Sequence, residues 1–195
     1  MFKKFLAYAL LSLCIVLIAM LFRSMKYHEE MRKLIEIREI AKGGGDIDKH
    51  YDFVVSCTSS DNRFVRRKAI RALGAFDDKV DEIMEFSLST LESDDMFDQR
   101  VAAEAICEMA DQNNHYVDEI IEMVVEDRLG IDSKMFLIKA LGRIGPPAVD
   151  SCAILSKYSD DRITGSSAKE ARDSIGCGAL ESIETGESSG VRPAL

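Results

Sequence analysis

A four-residue phrase, Val80-Asp81-Glu82-Ile83, returns at Val117-Asp118-Glu119-Ile120, with looser copies at Ile47-Asp48 and Val149-Asp150. A second phrase runs through the chain as Ala69-x-x-Ala72-Leu73-Gly74, Ala102-x-x-Ala105-Ile106-Cys107, Leu137-x-x-Ala140-Leu141-Gly142 and Ala171-x-x-Ser174-Ile175-Gly176. Both advance by about 32 to 37 residues, the period at which helical hairpins stack. In such a chain no helix pair hides its apolar side alone, so each pair must lean on its neighbours.

The residues between these phrases favour helix. Pro146, Pro147 and Pro193 are the only prolines, so little interrupts a helical run. With 47% apolar and 30% charged residues in 195, the chain is expected to hold one ordinary core plus an attachment. The net charge of −9 repels phosphate backbones, and the absence of tryptophan removes the best stacking platforms, so nucleic acid is not an expected partner.

The attachment is expected at the amino end. After Lys3 and Lys4, residues 5–22 run FLAYALLSLCIVLIAMLF without a charge, roughly 27 Å of helix and enough for the hydrocarbon core of a bilayer. A cleavable signal peptide is the competing reading. Its small-residue cleavage pair falls too early, at Ala7 and Ala9, and nothing suitable follows near residues 19–24. Residues 1–26 are therefore read as a retained anchor or uncleaved signal, making a single-pass membrane protein. Arg23, Lys26, Arg32 and Lys33 slightly outnumber Lys3 and Lys4, which leans the following domain towards the cytoplasm.

From Tyr27 to Ala41 the apolar positions Met31, Leu34, Ile35, Ile37 and Ile40 keep a mostly helical period, so the anchor is expected to run on into this helix until Gly43-Gly44-Gly45 breaks it. Thereafter hairpins are expected over residues 62–92, in a second copy carrying Val101 to Val125, and in a third carrying Phe136 to Leu155, with a half-unit over Ser166 to Ile175. Leading helices turn Val65, Ala69, Ile70, Ala72 and Leu73 inward. Trailing helices use stripes such as Val80, Ile83, Met84, Leu88 and Leu91. Residues 177–195, rich in Gly, Ser and Glu, read as a flexible tail. The five cysteines, at 14, 57, 107, 152 and 177, show no compact framework and read as isolated small apolar residues.

At Val65-Arg66-Arg67-Lys68-Ala69-Ile70-Arg71-Ala72-Leu73-Gly74 the chain resembles HEAT repeats of the short kind also found in phycobilisome-lyase-like proteins. The resemblance covers roughly residues 27–176. It departs at Cys107, Leu137 and Ser174, and the first unit lacks the Ala-Leu-Gly phrase. It implies an all-α, right-handed α-solenoid of about four helical hairpins preceded by one transmembrane helix, with the first helix of each pair on the convex side and the second on the concave side. HEAT solenoids mostly bind other proteins, so the implied function is a scaffold or accessory subunit that is not itself an enzyme. The alternative is a non-catalytic component of an enzyme, a lyase-like subunit holding a tetrapyrrole or its acceptor protein.

Chemistry-bearing motifs are sparse. His28, His50 and His115 stand apart, without the spacing of a metal site. Ser166-Ser167-Ala168-Lys169 matches S-x-x-K without the partner motifs that would make it a nucleophile, and Gly43-Gly44-Gly45 lacks the Lys-Ser/Thr of a phosphate loop. No metal, cofactor or catalytic residue is expected. Asp94-Asp95 and Asp160-Asp161 read as caps and turns.

Charge is segregated by helix type. Leading helices carry Arg63, Arg66, Arg67, Lys68, Arg71, Lys134, Lys139 and Arg143, whereas trailing ones carry Asp81, Glu82, Glu85, Asp118, Glu119 and Glu122. A concave face lined by those six carboxylates would attract the basic surface of a membrane-associated protein partner, with charge governing rate and selectivity more than affinity. The plainer reading is a solvated face whose acids complement the helix dipoles.

Overall fold

The computed structural model describes residues 2–178 apart from Asn113, with side chains described from Leu11 onward. Its described residues are helical, with no strand: α1 (Phe2–Lys42), α2 (Tyr51–Thr58), α3 (Arg63–Leu73), α4 (Val80–Leu91), α5 (Met96–Met109), α6 (Val117–Val125), α7 (Ile131–Ile144), α8 (Cys152–Tyr158) and α9 (Gly165–Ile175). The chain divides between Ala75 and Phe76 into two compact units, a boundary that falls inside the hairpin expected over residues 62–92.

In the first unit α1 runs unbroken from the apolar segment into the folded part. Every side chain from Leu11 to Lys26 is exposed. Ten of them are large and apolar, with Leu21 and Phe22 at 65% and 68% exposure. Left in water, ten such side chains forgo on the order of 20 kcal/mol of burial free energy, more than a typical domain's whole stability. This is the one helix among the described residues long and apolar enough to cross a membrane. Further along, Leu34 and Ile37 are buried as α1 packs on α3, and α2 packs on α3 in turn. The helix stops at its glycines. Gly44 takes φ +71°, and a Cβ on Gly45 would stand 2.6 Å from the Ile40 side chain.

The second unit is built on alternate helices. Helix α5 packs on α7 and α7 on α9, while α4, α6 and α8 pack on α5, α7 and α9 respectively. Small residues permit the close approach: Ala102, Ala105, Ala140, Ala168 and Ala171 are buried, and a Cβ on Gly142 would meet the Ala171 Cα at 2.8 Å. Arg143 ties α7 to the end of α5, donating to both Asp111 carboxylate oxygens at 3.0 and 2.6 Å and to the Cys107 carbonyl at 2.6 Å.

The two units start their leading helices in the same way. In each, a serine hydroxyl accepts from the backbone N–H two residues on: Asn62 N–H to Ser60 Oγ at 3.3 Å, and Asp95 N–H to Ser93 Oγ at 3.1 Å. The cap residue then accepts from the next-but-one N–H, Phe64 to Asn62 and Phe97 to Asp95, both at 2.9 Å. Finally Arg66 and Gln99 donate to the Ser60 and Ser93 carbonyls at 3.0 and 2.7 Å. The copies stand 33 residues apart, in Ser60-Asp61-Asn62-Arg63-Phe64 and Ser93-Asp94-Asp95-Met96-Phe97.

One pair of cysteines corrects the reading of all five as isolated. Cys152 at the start of α8 and Cys177 just after α9 form a disulfide across 25 residues of sequence, with Cα atoms 5.6 Å apart. The pairing follows from α9 packing back on α8 and from Gly176, whose left-handed φ of +88° reverses the chain. Cys177, the first residue of the expected tail, is thus fully buried. Residues 179–195 lie outside the described residues.

Candidate docking surface

Of the six acidic residues singled out on the trailing helices, Asp81, Glu82, Asp118 and Glu119 sit in first turns, and Glu85 and Glu122 follow one turn on. Asp81, Glu82 and Glu85 are exposed on α4, and Asp118, Glu119 and Glu122 are exposed on α6. Both helices begin with paired acids because exposed N–H groups and the helix dipole favour negative charge there. The apolar stripes beneath bury Ile83, Met84 and Leu91 on α4 and Val117, Ile120 and Val124 on α6, which leaves the carboxylates on the opposite side.

Acids of both helices bear electrostatically on Tyr116. Partial burial, followed by the carboxylates of Asp81, Glu85 and Glu119, holds its phenol above the usual tyrosine range. Three of the six acids, drawn from two successive trailing helices, therefore act on one hydroxyl. Glu82 instead accepts from Lys79 at 3.3 Å. Beside them opens a polar hollow of about 460 Å³ lined by Asp77, Asp78, Gln112 and His115, with Gln112 donating to Asp77 at 3.4 Å. Among the described residues no group of three metal-ligating side chains converges. The exposed carboxylates of this surface suit ammonium and guanidinium groups.

Tyr116 was not anticipated, although its signal was legible. It precedes the second Val-Asp-Glu-Ile phrase, where the first copy has Lys79. Elsewhere in the second unit Met96, Phe97 and Ile131 stand exposed around an apolar hollow of about 270 Å³, bordered by the Arg100–Asp132 ion pair at 3.1 Å. The free thiols of Cys57 and Cys107 are pushed up chiefly by burial, which keeps them protonated and unreactive. The expected caps are in place. Asp95 starts α5, and Asp161 accepts from the Ile163 and Thr164 N–H groups, holding its carboxyl below the usual range.

Comparison with known proteins adds no relative: no family model, curated protein or solved structure matches the chain.

Proposed function

We propose that this chain is a membrane-anchored scaffold of the HEAT-like α-solenoid kind, without catalytic activity of its own. Its acidic face on α4 and α6 docks a basic segment of a membrane-associated partner protein. The observation that carries this reading is the exposure of Asp81, Glu82 and Glu85 on α4 and of Asp118, Glu119 and Glu122 on α6, with Asp81, Glu85 and Glu119 all raising the Tyr116 phenol. The side-by-side packing of α5, α7 and α9 supports the solenoid, and the exposed apolar half of α1 supports the anchor. Tethering both proteins to one bilayer raises their effective concentration, so a weak surface suffices.

The disulfide favours the non-cytoplasmic side for the folded part, because a bond of this kind persists in an oxidising compartment. It outweighs the small cation excess beyond the span. A compartment-dependent reporter at the carboxyl end tests that orientation.

The docking surface is tested by crosslinking in detergent extracts, comparing the native chain with a variant carrying Asp81→Lys, Glu85→Lys and Glu119→Lys. Loss of the crosslinked partner is expected. A partner retained at native yield removes the acidic surface from the account.

A further inference from the structure

The folded part of the first unit returns to the level at which α1 leaves its apolar run. Arg23 is the first charge after residues 5–22. Its guanidinium donates to the Tyr27 hydroxyl and to Asp61 Oδ2, the latter at 2.8 Å. Asp61 belongs to the connection between α2 and α3. Helix α2 approaches from the far end: Phe53 lies under the Lys33 ammonium, 3.8 Å from the ring centroid, and Cys57 feels Glu30, Lys33 and Lys26 in turn. The α2–α3 connection is therefore pinned beside the first charged residue of α1.

The residues just beyond Asp61 suit a lipid surface. Phe64, in the first turn of α3, is 56% exposed, and the Arg63 guanidinium stacks 5.0 Å from its ring centroid. The pair joins a large apolar ring to a cation, the combination that settles at the boundary between acyl chains and headgroups. The headgroup layer is roughly 5–7 Å deep on each side. Phe64 lies three residues beyond Asp61, through the extended Asn62 cap and the first residue of α3, a chain distance of at most about 11 Å, which keeps its ring close to that layer where Arg23 enters it.

We infer that the start of α3, through Phe64 and Arg63, forms a second membrane contact that engages anionic headgroups beside the span. The inference rests on α1 crossing the bilayer. With two contacts, a span and an α3 footing, the first unit is fixed in height and in rotation about α1.

The chain contains no tryptophan, so a single introduced indole reports depth without background. Full-length Phe64→Trp and Leu17→Trp variants are reconstituted separately in phosphatidylcholine vesicles, with and without phosphatidylglycerol, containing lipids brominated near the headgroup or deep in the chain. Leu17→Trp is expected to be quenched most by deep bromines and Phe64→Trp by shallow ones, with the Phe64→Trp effect larger when phosphatidylglycerol is present. Adding Arg63→Glu to Phe64→Trp lowers shallow quenching on the anionic vesicles, since one cation at such a surface is worth roughly fivefold in occupancy. Quenched Leu17→Trp beside unquenched Phe64→Trp overturns the α3 footing and leaves the anchor standing. Unquenched Leu17→Trp overturns both. Shallow quenching of Phe64→Trp that ignores both phosphatidylglycerol and Arg63→Glu overturns the headgroup component.

Discussion

From Leu11 to Lys26 every side chain of α1 is exposed, whereas further along the same helix Leu34 and Ile37 are buried to 1% exposure. Both stretches are rich in Leu and Ile, and no break separates them. The difference lies in the spacing of charge. The first stretch has none before Arg23 and is apolar all round. The second sets Glu29, Glu30, Arg32, Lys33 and Arg38 between its apolar positions and so faces protein on one side only. Side-chain pattern alone thereby divides one backbone into a stretch apolar enough to cross a membrane and a stretch packed into a protein core.

The largest effect that breaks this contrast is a double Leu13→Arg, Leu17→Arg change. It is expected to raise the free energy of insertion by about 5–7 kcal/mol, moving the chain to the soluble fraction on alkaline extraction. Retention in the membrane pellet would deny the first stretch its lipid address. Next in size, Leu34→Ala should destabilise the first unit by about 2–5 kcal/mol, read as a lower denaturant midpoint in detergent, while Leu17→Ala leaves that midpoint in place. Equal shifts would mean that the two stretches share one environment. The smallest effect is one of pH. Lys42 donates to Glu39 at 2.8 Å and holds its carboxyl below the usual range. A depressed folded-state pKa gives stability that is present above the unfolded value and is lost as pH falls through the folded one. The thermal stability of the first unit is thus expected to fall slightly in acid, and Glu39→Gln should remove that part of the dependence. The stretch from Leu11 to Phe22 has no carboxylate and offers no such handle.

Local pattern made much of the helical layout legible. The uncharged run, the three glycines and the alternating apolar stripes place α1, its end and most later helices near their observed positions. The phrase Ala-x-x-Ala-Leu-Gly was legible as a repeat but not in what its last residue does. Gly74 caps α3 in a right-handed conformation, Cys107 is buried inside α5, Gly142 admits Ala171 against α7, and Gly176 alone takes the left-handed turn. One sequence position thus serves four local geometries, because neighbouring elements decide its use. The acidic turns were visible as a repeated tetrad, but their joint effect on Tyr116 depends on how α4 and α6 are carried by α5 and α7. The Cys152–Cys177 bond was hidden for a similar reason. Its partners are distant in sequence, and the packing of α9 on α8 supplies the proximity.

Helix α1 has no joint between its exposed run and Leu34, and a helix of 41 residues is roughly 60 Å long. A rod of that kind transmits torque. A tilt or twist applied to the exposed apolar stretch reaches the core of the first unit directly, as the movement of a lever reaches its load.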